Sequence, residues 1–240
     1  MNKTCLIYQP AGIGDVFFVQ TIVKHYISLG YEVIYPLKSN LIYLKDYLNY
    51  DGVTFVDESG DFPYKEHYNQ GGNSILSGDF IYLNLDQSHR QGGNGGYMLA
   101  KYSMVGLDYK SWVDGLVIDR NKEREDWLFN YLEIKDGEKY VLMNTKYGTP
   151  PDFAEYPVPK LDTNYRVVNM DFIEGTNIMD WVGIIEKASG IVTVDTCIQY
   201  IMDTLTLNYD FYHCYLRDGG KRGHLDIIKN IFTQPWEYKI

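Results

Sequence analysis

Short runs of apolar positions alternate along this chain with longer stretches in which apolar side chains recur every three or four places. TCLIYQP reads as a buried strand, Val16 to Leu29 carries a helical period, YEVIYPL is a second strand, Leu41 to Leu48 a second helix, and VTFVDES a third strand. Gly60 to Gly78 has little period and many breakers, so it reads as a surface excursion before DFIYLNLD, another buried strand. HRQGGNGGYM follows as a glycine-rich loop at the end of that strand where open α/β sheets place ligands. The charged, amphipathic stretch Asn121 to Leu132 predicts a helix, KDGEK a turn and KYVLMN a strand. The alternation then resumes: YRVVNMD as a strand, Ile178 to Ala188 as a helix capped by Asn177, GIVTVDT as a strand, Ile198 to Leu205 as a helix, YDFYHCYL as a strand. Strand and helix in turn imply parallel βαβ units. The economical fold is α/β, with two small Rossmann-like parallel-sheet domains, residues 1–119 and 120–240, facing a cleft.

Composition narrows the classes. At 240 residues the chain is long enough for two small cores. A formal net charge of −10 argues against a nucleic-acid footprint or a polybasic membrane anchor, and Lys221-Arg222 is too short a cluster to overturn that. Three cysteines without a CxxC do not make a disulfide framework or a zinc site, and a reducing compartment suits them. Nothing approaches a membrane span, and the first apolar run is broken by Gln9, Pro10 and Asp15, so a cytoplasmic protein is expected. The 23 tyrosines suit strands and half-wet carbohydrate clefts; Tyr64, Tyr68 and Tyr97 are candidates for stacking on sugars.

Four places can carry chemistry. GIGD ends the first strand, but its spacing is neither the dinucleotide fingerprint nor a P-loop. Gly12 and Gly14 there suggest a sharp turn or a close approach, and Asp15 either caps the helix, the commoner use of such a residue, or serves as a general base. GIVTVDTCIQYI aims helix N-terminal amides, with Thr196, at an anion such as a diphosphate; Asp195 accepts from the loop's own amides or from a sugar hydroxyl, or is a simple cap. Asp86, Gln87, Ser88 and His89 cluster past a strand end, as hydroxyl recognition or acid/base work requires, although a lone loop histidine is commonly just solvated. Lys146 follows a strand in NTKYGT and is either a phosphate-neutralising cation or a solubilising charge. The histidines lack metal-ligand spacing and no DxD pair occurs, so no bound metal is expected.

Taken in order, GIGDVFFVQTIVKHYISLGYEVIY, GDFIYLNLDQSHR and NIMDWVGIIEKASGIVTVDTCIQYIMDTL resemble the heptosyltransferase-like glycosyltransferases of the GT-B fold, among them the ADP-heptose:lipopolysaccharide heptosyltransferases. The resemblance implies inverting, metal-independent transfer from a nucleotide-sugar co-substrate, with no other cofactor, to a carbohydrate, glycolipid or glycoprotein acceptor. By its pattern Asp15 is the base; Gly14, Asp86, Gln87 and His89 lie on the acceptor side; Lys146, Asp195, Thr196 and Cys197 lie on the donor side. The sequence departs from that pattern in three ways. The segment after KYVLMN is short and proline-rich, as though a strand and helix of the donor domain were missing; Cys197 stands where the family has glycine; and the ribose contact has no counterpart beyond Asp171 or Glu174. A degenerate relative that binds without catalysis is the alternative.

Overall fold

The computed structural model describes residues 3–9, 12–48, 50–87, 93–149, 152–217 and 224–240. The chain divides into two compact units, Met1–Asp119 and Arg120–Ile240. The first holds strands β1 (Lys3–Tyr8), β2 (Tyr31–Leu37), β3 (Val53–Asp57) and β4 (Phe80–Asn84), all parallel, in the order β3-β2-β1-β4. The chain builds β1, β2 and β3 in one direction and then crosses to lay β4 on the other side of β1. The switch point therefore falls between β1 and β4, at whose carboxyl ends ligands bind in open α/β sheets.

Alternation along the strands sorts the side chains. Leu6, Ile34 and Tyr82 bury one face of the sheet with Phe62 and Tyr68, and Tyr8, Val56 and Phe80 pack against them. Cys5, Ile7, Val33 and Tyr35, one residue out of step with that set, are equally buried. The first helical stretch begins at Ile13 rather than Val16 and is divided at Val19 into α1 (Ile13–Phe18) and α2 (Gln20–Ser28). Leu41 to Leu48 is not an α-helix: Ser39–Asp46 forms a 3-10 helix, whose three-residue turn sets the buried Leu41 and Leu44 on the same side.

Two breaker-rich segments hold more structure than their sequence shows. Within 60–78 lies α3 (Lys65–Gln70), anchored by buried Tyr68. The glycine-rich loop expected after β4 gives way to α4 (Gly93–Ser103), because Met98, Lys101 and Tyr102 all find buried positions and tertiary packing outweighs glycine's poor helix propensity. A short α5 (Trp112–Gly115) closes the unit against α2, where the Thr21 hydroxyl donates to the carbonyls of Ser111 (2.8 Å) and Trp112 (3.1 Å).

The second unit opens with α6 (Lys122–Tyr131), capped by the Asn121 side chain. Strands β5 (Tyr140–Asn144), β8 (Arg166–Asn169), β9 (Gly190–Val194), β10 (Tyr212–Tyr215) and β11 (Glu237–Lys239) make a parallel sheet in the order β11-β10-β9-β5-β8. Here too the order reverses beside the first strand, between β5 and β9. Between β5 and β8 the described residues contain no helix; an antiparallel hairpin of β6 (Lys146–Thr149) and β7 (Asp152–Glu155) stands in its place. Asn177 forms a capping box with Asp180 at the 3-10 turn Ile178–Trp181, which runs into α7 (Val182–Lys187). After β9 comes α8 (Ile198–Asp203), and α9 (His224–Ile231) precedes β11, the short edge strand.

Candidate functional site

In the first unit the geometry centres on Asp15. Gly12, in extended backbone (φ −84°, ψ −174°), is the N-cap of α1, and its carbonyl accepts from the amides of Asp15 (3.1 Å) and Val16 (3.2 Å). The N-cap itself makes no side-chain hydrogen bond, and Asp15 lies in the first turn, where its charge complements the helix dipole. Gly12 does not answer a steric demand of the fold: its φ suits any residue, and a Cβ built there meets nothing within 4 Å. The space above it is open. Gly14 lies in the first turn of α1, beside Asp15.

The partner of Asp15 is Lys101 of α4, whose Nζ donates to Asp15 Oδ1. The two differ in access, with side-chain exposures of 1 % for Lys101 and 21 % for Asp15, so the aspartate side chain reaches solvent and the lysine does not. Burial lowers the Lys101 pKa below the ordinary lysine value, while Asp15 and then Asp86 act to raise it. Three buried oxygens of this unit, the Tyr35 and Tyr82 hydroxyls and Gln9 Oε1, have no hydrogen-bond partner among the described residues. Burial first, and the Asp15 charge second, push the Tyr35 phenol well above its usual range.

Asp86 is exposed just past β4, where Asn84 Oδ1 accepts from its amide at 3.1 Å. Asn84 in turn donates to the carbonyls of Gly71 (3.2 Å) and Gly72 (2.9 Å), tying the strand end to the preceding loop. Gln87 ends the short 3-10 turn Leu85–Gln87, and His89, with Ser88, lies outside the described residues, as does the basic pair Lys221-Arg222. Among the stacking candidates, Tyr68 is corrected: it is buried and its hydroxyl donates to Glu58 (2.8 Å). Tyr64 is exposed but packs on Phe80 at the amino end of β4, the opposite end of that strand from Asp86.

The second unit gathers its polar residues at its own switch point. Asn144, last in β5, donates to the hydroxyls of Thr193 (2.9 Å) and Thr196 (3.1 Å), joining β5 to the end of β9. Asp195 is 4 % exposed and accepts from the Arg217 amide at 2.8 Å and from its guanidinium at 3.1 and 3.4 Å. Neither Asp195 nor Thr196 caps α8; the N-cap is Cys197, without a side-chain hydrogen bond. Cys197 is only half-buried as a residue, yet enclosure of its thiol pushes the pKa up to about 11, so it is an inert thiol rather than a nucleophile. Lys146 Nζ pairs with Asp171 at the surface. Arg217 lies over the Tyr147 ring of β6 at 5.1 Å to its centroid, a cation–π contact.

Sequence reasoning missed three participants. Lys101 sits in a glycine-rich stretch, eighty-six positions from Asp15, and no local pattern announces the pair. Arg217 ends YHCYL with nothing to mark it, and Asn144 was legible only as the last residue of a strand. Asp15 and Asp195 each pair with a cation of their own unit, and Asp195 also accepts from a backbone amide, that of Arg217, one of the uses expected of it. No cluster of three or more metal-ligating side chains occurs among the described residues.

Two successive parallel-sheet α/β units, each with polar residues gathered at the carboxyl ends of its strands beside a switch point, define the class of GT-B-like, Rossmann-type folds. Within that class the chain is similar to two solved structures in particular. One is a glycosyl transferase family 9 protein from Veillonella parvula DSM 2008, with 11 % identity, a TM-score of 0.52, and 90 % of this chain matched to 81 % of that one. The other is the iron-containing dodecameric glycosyltransferase TibC from enterotoxigenic E. coli H10407, with 7 % identity, a TM-score of 0.55, and the whole of this chain spanning 63 % of that one. At such identities the likeness is one of fold. The sequence matches no protein-family profile and no curated protein. No helix among the described residues is long and apolar enough to cross a membrane.

Proposed function

We propose that this protein is an inverting, metal-independent glycosyltransferase that moves a sugar from a nucleotide-sugar donor to a hydroxyl of a glycan, lipid-linked or glycoprotein acceptor. The observation that carries the reading is the placement of Asp15. It is a carboxylate in the first turn of α1, just past the carboxyl end of β1 beside the switch point, held at Oδ1 by a buried lysine and with a part-exposed side chain. Such a carboxylate is placed to take the proton from an acceptor hydroxyl as that oxygen attacks the anomeric carbon. The bond from the anomeric carbon to the donor diphosphate breaks in the same displacement, the configuration inverts, and the negative charge leaves with the nucleoside diphosphate.

The second unit holds the donor in this reading. Thr196, ordered by Asn144, supplies a hydroxyl at the switch point. Arg217, fixed by Asp195 and Tyr147 but with 37 % of its side chain exposed, supplies a guanidinium for phosphate oxygens. Lys146 adds a cation whose exposed pairing with Asp171 is of the kind worth about 0–1 kcal/mol, weak enough for a diphosphate to displace. Gly14, Asp86, Gln87 and His89 serve the acceptor.

The competing reading, a fold relative that binds a sugar, nucleotide or protein partner without catalysis, is favoured by one feature: Lys146 and Arg217 are both already neutralised by carboxylates. Asp15→Asn separates the two. It keeps the shape of the side chain and removes its basicity, so a transferase loses turnover by about 10²–10⁴-fold while still binding its donor. Unchanged turnover removes Asp15 from the mechanism; unchanged binding with no turnover in the parent establishes the binder.

A further inference from the structure

We propose that Lys101 is a positioning residue for Asp15, holding Oδ1 and fixing the carboxylate's rotamer so that it meets the acceptor hydroxyl in one orientation. This rests on the reading of Asp15 as the base. Lysine is almost never fully buried unless it is paired, and Lys101 is enclosed to 1 % exposure. A buried ion pair is poor evidence of a need for stability, since apolar side chains of similar volume commonly serve a core as well or better. Helix α4 already has its anchors without it. The Tyr102 hydroxyl donates to the Phe18 carbonyl at 2.5 Å, the two rings meet edge-on at 4.9 Å, and Met98 is buried.

Those anchors tie α4 to the carboxyl end of α1, the helix that carries Asp15. Lys101 therefore meets the carboxylate in a fixed register rather than as a mobile surface cation. The titratable groups facing the pair come from two other places: Tyr35 from β2, which feels Asp15, and Asp86 from the segment after β4, which acts on Lys101; on α4 itself the Met98 sulfur accepts from Nζ at 3.3 Å. Asp15 Oδ1 accepts from the ammonium, and Lys101 is too enclosed to reach a substrate except through it. Desolvation disfavours the ammonium and the Asp15 charge sustains it.

The test needs no substrate in its first part. The Lys101 side-chain ammonium is followed by ¹⁵N NMR against pH, assigned by its loss in Lys101→Met, in the parent and in Asp15→Asn. The expected result is loss of the Lys101 proton at least one pH unit lower in Asp15→Asn; coincident titrations overturn the proposal. In the second part ADP-heptose is the probe and ADP release the signal. Lys101→Met is expected to lower kcat at least tenfold with little change in KM, and Lys101→Arg to recover part of it. A kcat unchanged in a folded Lys101→Met overturns the positioning role. If the parent releases no ADP above background, the reading of Asp15 as a base for this donor class fails, and the NMR titration still decides whether the two charges are coupled.

Discussion

Two aspartates bracket helix α8, and they sit in different surroundings. Asp195, before the helix, faces a guanidinium and an amide of Arg217. Asp203, its last residue, accepts from the amides of Thr233 (2.8 Å) and Gln234 (3.3 Å), and burial, outweighing those bonds, raises its pKa above the usual aspartate value. A carboxyl whose folded-state pKa is raised binds its proton more tightly in the folded protein than in the unfolded chain. Its contribution to stability is present at low pH and is lost as pH rises through the folded value. Chemical denaturation of the parent and Asp203→Asn, repeated from about pH 4, near the unfolded value, to neutrality, should therefore show the parent losing ground to the variant as pH rises. A constant difference across that range removes the buried charge as the cause.

At the scale of elements, the first unit depends on how closely α5 approaches α2. Gly115 has no positive φ to justify it, but a Cβ there runs into the Thr21 backbone, from whose side chain two hydrogen bonds already reach Ser111 and Trp112. The helix cannot retreat without losing them. Gly115→Ala should cost about 1–3 kcal/mol in urea denaturation, the range for overpacking a dense interior. A variant as stable as the parent shows that α5 shifts freely. In the second unit the equivalent tie is polar: Asp180 completes the cap of Asn177 and also takes both Nε (2.6 Å) and Nη2 (2.7 Å) of Arg124, which joins the 3-10 turn to α6.

For the whole molecule, the acidic balance of −10 leaves the cations at the carboxyl ends of the second sheet as local exceptions. A nucleoside diphosphate that settles there binds only the folded protein. At about a hundred times its dissociation constant it should stabilise the fold by about 2.7 kcal/mol, seen as a raised unfolding midpoint. A panel of nucleoside diphosphates and nucleotide sugars is the measurement, and a response to one base identifies the donor class. A flat response to all of them favours the non-catalytic reading. Arg217→Gln should abolish the response with Asp195 left in place; a retained response assigns the phosphates to other residues.

The order of strands and helices was legible in the sequence because it rests on local periods: YEVIYPL, KYVLMN and GIVTVDT occur as buried strands, and Asn121 and Asn177 cap the helical segments they precede. Asp15 and Asp195 were legible too, since a polar residue after a buried strand is a local event. Helix α4, the β6-β7 hairpin and the edge strand β11 were not. The first overrides its glycines by packing, the second lies in a segment read only as short and proline-rich, and the third is three residues long and exists by pairing with β10. Nor was either cation that grips a candidate carboxylate. Lys101 and Arg217 reach Asp15 and Asp195 across 86 and 22 positions of sequence. Hydrophobic period and capping chemistry act within a few residues and so are written in the chain itself, whereas ion pairing acts through space, and only the folded sheets bring these charges together.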